Sequence, residues 1–97
     1  MSVAQKTYYH KAKLQDRYIV ELSIYAISDD DEYPDNIKYR LICTHAQKKS
    51  KVLFDNHSPK GHHFHIDDEE FPYEFVTEDK LLNDFKKLVF DHFGVRL

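Results

Sequence analysis

The chain has 97 residues, of which 41% are hydrophobic and 14% are aromatic, and its formal net charge is −3. This length fits one domain with a single two-layer core, and the apolar fraction excludes a disordered chain. The slightly acidic balance gives no overall attraction to nucleic acid, so any basic surface has to be local.

The cysteine content and the hydropathy pattern bear on the cellular compartment. A single cysteine, Cys43, excludes a framework of internal disulfides, and its place in an apolar pattern predicts a core residue rather than a nucleophile. No signal peptide is expected at the N-terminus, and no apolar run reaches the roughly 18 to 20 residues of a membrane helix. We therefore expect one cytoplasmic domain over residues 1–97, without a membrane partner.

The first half of the chain predicts three strands. Residues 1–5 show no pattern and are expected to be disordered, and a first strand is expected over residues 7–14. Alternating apolar and polar residues predict a strand over residues 18–27. A polar loop over residues 28–36 then leads to a third alternating segment, residues 37–45.

The second half predicts the remaining strands and a helix. A turn leads to a fourth strand over residues 51–55, residues 62–67 are expected to form a short fifth strand, and the acidic stretch with Pro72 is expected to end that strand. Thr77 is typical of a helix N-cap, and apolar residues at helical spacing continue to Phe93, before Gly94. The predicted fold class is α+β: an antiparallel meander of four to five strands with one C-terminal amphipathic helix packed on one face, in two layers.

Histidines concentrate in one segment of the chain. Four of the seven lie within the nine residues from His57 to His65. A turn with Lys60 and Gly61 precedes the short fifth strand, in which a period of two places His63 and His65 on one face. Because histidine titrates near neutral pH and binds metals, this segment is a candidate site for proton transfer, metal binding or anion binding.

The first interpretation of this segment is RNA cleavage without a cofactor. That reaction needs a base for the ribose 2′-hydroxyl, an acid for the leaving 5′-oxygen and a cation at the phosphate. His63 and His65 are the candidate acid–base pair, with His57 as a substitute, and Lys60 is the candidate cation.

Five further residues are candidates for binding the RNA. Arg40 is the candidate second cation. Asp55 or Asn56 is the candidate group that orients an imidazole. Phe64 or Tyr73 is the candidate ring that stacks on a base.

Three alternatives stay open. His63 and His65 can bind a divalent metal, with Asp55, His57 or Asp67 completing the site of a metal-dependent hydrolase. The histidines can also be exposed polar residues at a turn, with a purely structural role. Finally, the protein can be a non-catalytic module that binds a partner through an exposed sheet edge.

Residues 37–88 carry a series of short motifs in a fixed order. They are Lys38-Tyr39-Arg40-Leu41, Asp55-Asn56, Lys60-Gly61 followed by His63 and His65, Glu69-Glu70, Pro72-Tyr73, Phe75-Val76, and a helix with Leu81, Asp84 and Phe85. In this order they resemble the TumE family of toxins from toxin–antitoxin systems, and residues 11–27 fit the family's hairpin more loosely.

The resemblance implies the toxin of a prokaryotic toxin–antitoxin pair. Its implied partner is an antitoxin, typically a helix-turn-helix protein from the adjacent gene. The resemblance does not decide the mechanism of the toxin or whether the chain forms a homodimer. Over residues 60–65 the family pattern usually reads Lys-Gly-Asp-His-Arg-His. In this chain His62 stands in the place of the aspartate and Phe64 in the place of the arginine.

Overall fold

The computed structural model describes residues 3–97, which form six antiparallel strands and one helix. Each strand pairs with the next one along the chain, so the sheet is a meander. The elements are β1 (Val3–Leu14), β2 (Tyr18–Ser28), β3 (Ile37–His45), β4 (Lys51–Asp55), β5 (His63–Ile66), β6 (Glu69–Pro72) and α1 (Glu78–Phe93). The predicted α+β meander with one C-terminal helix is confirmed, with a slightly higher number of strands than expected.

The hydrophobic core lies between α1 and one face of the sheet, which we call the helix-covered face. Leu81, Phe85 and Val89 of the helix have no exposed surface. They pack with alternate residues of the central strands, which are Val20, Leu22, Ile24, Ile37, Tyr39, Leu41, Cys43, Val52 and Phe54. Burial raises the pKa of the Cys43 thiol to about 11, which agrees with a core role for this residue.

The ends of α1 follow the sequence signals. The Thr77 hydroxyl oxygen accepts a hydrogen bond from the backbone N–H of Lys80 at 3.1 Å, and Gly94 ends the helix in the left-handed conformation, with a φ of 72°. Glu78 and Asp79 in the first turn interact favourably with the helix dipole. In the part of the chain that the structure describes, no helix has the length and apolar character needed to span a membrane.

The two outer strands differ from the prediction. β1 begins at Val3, which pairs with Ser28, so the expected disorder over residues 1–5 is wrong for residues 3–5, while residues 1 and 2 lie outside the described residues. At the other edge, Asp67 adopts a φ of 54° in a tight turn that ends β5, and the acidic stretch then forms a sixth strand, β6, that the sequence did not predict. Because β6 is an edge strand, its charged side chains reach solvent without disturbing the core.

The other face of the sheet points away from α1, and we call it the open face. Residues that pair directly across neighbouring strands share a face, so the strand registers define its rows. One row consists of Ser23, Arg40, Asp55, His63 and Pro72. The next row consists of Glu21, Ile42, Leu53, His65 and Glu70. The expected common face for the two histidines of β5 is therefore confirmed.

Candidate functional site

Four polar side chains meet at the β5–β6 end of the open face, and we call Lys60, His63, His65 and Glu70 the imidazole cluster. The ring centroids of His63 and His65 are 5.0 Å apart, with the ring planes at 82°. Glu70 Oε1 lies 3.3 Å from His65 Nε2 and 4.0 Å from His63 Nε2. Lys60 Nζ donates a hydrogen bond to the same oxygen at 2.9 Å. One carboxylate oxygen thus faces three nitrogen-containing groups.

The turn before β5 and the hairpin after it assemble this cluster. Gly61 has a φ of 73°, in the left-handed region that favours glycine, and so lets the chain turn sharply after Lys60. The backbone N–H of Lys60 donates to the carbonyl of His57 at 3.1 Å, which closes the turn. The β5–β6 register then pairs His65 directly with Glu70.

His63 is held in a defined orientation and tautomer. The residue is only 8% exposed, and its Nδ1 lies 2.7 Å from the carbonyl oxygen of Gly61. Because a carbonyl oxygen can only accept, Nδ1 must carry a hydrogen. Nε2 is therefore the nitrogen of His63 that gains or releases a proton, and it is also the nitrogen nearer Glu70.

The charges of His65 and Glu70 follow from their surroundings. Burial lowers the pKa of the His65 imidazole, and the neighbouring His63 lowers it further, whereas Glu70 raises it. The hydrogen bond from Lys60 is the main reason why the pKa of Glu70 lies below its ordinary value. Near neutral pH, the cluster therefore combines an ionised carboxylate, an ammonium group and a neutral His65 ring.

The cluster also has a geometry that fits a metal ion. His63, His65 and Glu70 each offer one ligand atom, and these atoms lie within 4.8 Å of one another. Two imidazole nitrogens and a carboxylate oxygen suit zinc and similar divalent ions. The third member of this group is Glu70, and not one of the candidates Asp55, His57 or Asp67 that the sequence suggested.

Glu70 was missed in the sequence because no strand was predicted between the acidic stretch and the helix. A signal for its position was present, since Asp67-Asp68 forms a two-residue turn and Asp tolerates the left-handed conformation. A hairpin through this turn places residue 70 opposite residue 65, as the register shows. Recognition of that turn would have added Glu70 to the candidate site.

Arg40, Asp55 and His57 lie beside the cluster on the open face. They line a depression of about 340 Å³ together with Ser23, Tyr25, Lys38 and Tyr39. Asp55 pairs across the strands with both Arg40 and His63, so the depression adjoins the imidazole cluster. The Asp55 carboxylate accepts the backbone N–H of His57 at 2.6 Å. Strand pairing thus brings Arg40 to the face that carries the histidine pair.

Asn56 lies apart from the cluster, at the end of β4. The residue is 4% exposed, its Oδ1 accepts the backbone N–H of Tyr39 at 2.9 Å, and its Nδ2 donates to the Ile37 carbonyl at 2.7 Å. With these two bonds Asn56 joins the end of β4 to β3, and its amide groups are used within the scaffold.

Phe64 and Tyr73 also lie away from the histidine pair, on the helix-covered face. The Phe64 ring stacks on Phe54 and Phe71, with centroid distances of 5.1 and 5.0 Å. The Tyr73 hydroxyl donates to Asp84 of α1 at 2.7 Å. These contacts make both aromatic residues part of the packing between the sheet and the helix.

His62, the other position at which the chain departs from the family pattern, contacts this side as well. Its Nε2–H donates to Asp35 at 2.7 Å, and its Nδ1 accepts from the Tyr39 hydroxyl at 2.9 Å. The His62 ring stacks on Phe75 with a centroid distance of 5.1 Å. Both departures, His62 and Phe64, therefore lie outside the imidazole cluster and leave it intact.

Comparison with known proteins bears on the identity of the chain. A family model described as Toxin TumE matches residues 2–91. No curated protein and no solved structure matches the chain. The match covers most of the sequence, including every strand of the sheet and most of α1. The chain therefore belongs to the TumE toxin family, and as a toxin of a toxin–antitoxin system it has a cognate antitoxin as its partner.

Proposed function

We propose that this toxin cleaves single-stranded RNA without a metal ion, with His63 and His65 as its acid–base pair. The observation that carries the proposal is the position of the two imidazoles, whose centroids are 5.0 Å apart beside Lys60 on the open face. General acid–base catalysis needs two such groups near one phosphate, with opposite protonation states near neutral pH.

His65 is the proposed base. Burial lowers the pKa of its imidazole, so the ring is neutral near pH 7 and has a lone pair that can take a proton. The base removes the proton of a ribose 2′-hydroxyl, and the 2′-oxygen attacks the adjacent phosphorus. The bond from phosphorus to the 5′-oxygen breaks, leaving a 2′,3′-cyclic phosphate on one product.

His63 is the proposed acid. Its Nδ1–H is held by the Gly61 carbonyl, so a proton on Nε2 is the one that it can transfer. That proton goes to the leaving 5′-oxygen, which becomes a hydroxyl group. Glu70 lies close enough to both rings to stabilise a protonated imidazole.

Lys60 and Arg40 are the proposed cations for the phosphate. Lys60 pairs with Glu70 but most of its side chain is exposed, so the ammonium group can turn from the carboxylate to a bound phosphate. Arg40 lies in the same row as His63, with Asp55 between them. A phosphate between these cations is stabilised as its negative charge increases in the transition state.

The test uses purified wild type, His63→Ala and His65→Ala with a labelled single-stranded RNA in the presence of a chelator. We expect the wild type to cleave and each variant to lose about 100-fold or more in rate, as for removal of a general acid or base. A 2′-deoxynucleotide at the cleavage position should block the reaction, because it lacks the attacking hydroxyl group.

His10→Ala is the matched control, since His10 is an exposed histidine that pairs with Leu22 and shares its helix-covered face. This variant should keep wild-type activity, and circular dichroism should show that all four proteins are folded. Wild-type protein that leaves RNA intact both with chelator and with added divalent metal would end the ribonuclease proposal.

A metal-dependent hydrolase is the second candidate, favoured by the ligand geometry of His63, His65 and Glu70. It ranks below the first because a divalent ion at this position would have to displace the Lys60 ammonium group, which bonds to Glu70 Oε1 at 2.9 Å. Activity that is lost with chelator and restored by zinc or manganese would establish this candidate. Calorimetric titration of Zn²⁺ into Glu70→Gln should then show weakened binding.

A toxin that acts only by binding is the non-catalytic alternative, supported by the long edge strand β1. Its unpaired backbone groups can accept a strand from a partner, including an antitoxin of the helix-turn-helix type or a second copy of the chain. Growth inhibition in cells separates the two classes of toxin. A ribonuclease loses it in His63→Ala and His65→Ala, whereas a toxin that only binds keeps it.

A further inference from the structure

The open face carries a concentration of positive charge that the composition of the chain does not suggest. The whole chain has 14 basic and 17 acidic residues. By strand register, the open face and the turn beside it instead hold more basic than acidic side chains. The basic ones are Lys6, Lys11, Lys13, Lys38, Arg40, Lys51 and Lys60, and the acidic ones are Glu21, Asp55 and Glu70. A polyanion is thus attracted to this face in spite of the net charge.

Two tyrosines lie on the open face far from the imidazole cluster. Tyr9 is 50% exposed, and its hydroxyl donates to Glu21 at 2.9 Å, which fixes the tip of the side chain. Lys6 Nζ lies 4.7 Å from the ring centroid of Tyr9 and 5.9 Å from that of Tyr25. Aromatic rings beside a cation are the combination that binds the bases and phosphates of single strands.

The depression beside the cluster connects these tyrosines to the histidines. Tyr25 forms one part of its lining, and Lys38, Arg40 and Asp55 form the rest of the path towards His63. Strands are spaced by about 4.8 Å, so the distance across the sheet from β1 to β5 is about 19 Å. This length accommodates several nucleotides of a single strand.

We propose that single-stranded RNA binds across the strands of the open face, with bases stacked on Tyr9 and Tyr25 and phosphates beside Lys6, Lys38 and Arg40. This path brings the ribose that carries the attacking 2′-hydroxyl to the imidazole cluster. The inference rests on the proposed ribonuclease function, because it names the route of that enzyme's substrate. Stacking requires unpaired bases, so the substrate class is single-stranded rather than duplex RNA.

The test measures binding separately from cleavage. A fluorescent 2′-O-methyl RNA of about 12 nucleotides lacks the attacking hydroxyl group and spans a typical single-strand site. Fluorescence anisotropy should show that Tyr9→Ala and Tyr25→Ala each weaken binding, by about 5-fold to 100-fold for the loss of one stacked base. Lys38→Ala should reduce the steepness of the plot of log K against log salt concentration by about 0.7, the value for one phosphate contact on a single strand.

Matched controls come from α1, on the other side of the sheet. Phe90 is 44% exposed, close to the 50% of Tyr9, and Lys87 is exposed, so Phe90→Ala and Lys87→Ala remove an aromatic ring and a charge from the opposite surface. Both should bind the oligonucleotide like the wild type. His63→Ala should also bind it, because this residue is proposed to act on the reacting groups and not to hold the strand.

The outcomes separate the two proposals. A wild type that does not bind the oligonucleotide, or helix variants that lose as much affinity as the tyrosine variants, would overturn the inference. It would also be overturned if Tyr9→Ala lost affinity for the cognate antitoxin while oligonucleotide binding stayed unchanged, since the face would then bind a protein. If the protein binds the oligonucleotide tightly through Tyr9 and Tyr25 but does not cleave ordinary RNA, the binding path is supported. Only the ribonuclease proposal is then rejected.

Discussion

The two faces of the sheet are made by the same strands but have opposite character. On the helix-covered face, Tyr39 and Phe54 are almost completely buried and pack with Phe85 of α1. On the open face, the neighbours of these residues along the strands are Arg40 and Asp55, which are in contact with solvent. Successive side chains of a strand point to opposite faces of the sheet, so an apolar core residue and a charged surface residue can be neighbours in the sequence.

This difference in character predicts different effects for substitutions on the two faces. The core gains its free energy from buried apolar surface, so truncation there lowers the free energy of unfolding. The open face contributes mainly exposed charged and polar side chains, whose removal changes the core little. Substitutions on the two faces should therefore separate into those that unfold the protein and those that inactivate it.

The largest effect on stability is expected for Phe85→Ala, at the centre of the helix-covered face. Phe85 has no exposed surface and packs edge-to-face on Phe54, with centroids 5.8 Å apart. Its truncation leaves a cavity and should lower the free energy of unfolding by about 3 to 5 kcal/mol, measured by urea denaturation. Phe90→Ala on the exposed side of the same helix should change it by less than about 0.5 kcal/mol. Similar losses in both variants would mean that α1 does not cover the core as described.

Phe64→Ala should have the next largest effect on stability, although Phe64 stands between His63 and His65 of the open face in the sequence. Phe64 is half-buried against Phe54 and Phe71, so we expect a loss of about 2 to 3 kcal/mol, near the lower end for phenylalanine truncation. RNA cleavage per folded molecule should be unchanged. A variant of normal stability that no longer binds RNA would instead assign Phe64 to the substrate.

The fold could be predicted from sequence because its signals are local. The alternation in β2 and β3 fixes which residues face the helix, and Thr77 and Gly94 fix the ends of α1. The two outer strands were harder to predict, since edge strands need little apolar character. β6 carries Glu69 and Glu70 and is stabilised by pairing with β5 rather than by burial.

The candidate site was only partly predictable, for a physical reason. His63 and His65 follow from the period of two within one strand, but the position of Glu70 depends on a hairpin register. The roles assigned to Asn56 and Tyr73 rested on residue type alone, and their hydrogen bonds run to β3 and α1. Hydrogen-bond partners that are far apart in the sequence are brought together by tertiary packing, and a local sequence pattern does not predict them.

Asn56→Asp should have a moderate effect, because it tests a polar group that belongs to the scaffold. The change replaces the amide that donates to the Ile37 carbonyl, and places a carboxylate in a buried position. We expect a loss of about 1 to 2 kcal/mol in the free energy of unfolding, typical of a buried hydrogen bond left unpaired. Asn83→Asp, at an exposed position of α1, is the matched control and should be nearly neutral. If Asn56→Asp changed the free energy of unfolding as little as Asn83→Asp, a water molecule would have to replace the lost donor.

The smallest effect is expected for Asp67→Asn, and it depends on pH. Asp67 Oδ1 accepts hydrogen bonds from the Ser50 hydroxyl at 2.6 Å and from the Lys51 N–H at 3.0 Å, and lies 3.1 Å from His92 Nε2. The bond from Ser50 is the main reason why the pKa of Asp67 is lowered in the folded protein.

In the unfolded chain the pKa of Asp67 is about 3.9, so its carboxylate stabilises the fold above that pH, and the stabilisation is lost as the pH falls through the lower folded pKa. Asp67→Asn should therefore be less stable than the wild type near neutral pH, and this difference should shrink as the pH falls below about 4. Urea midpoints measured across this range provide the test, with Asp68→Asn at the neighbouring exposed residue as the control. A difference that stays constant with pH would mean that the shape of the side chain, rather than its charge, stabilises the β5–β6 turn against β4 and α1.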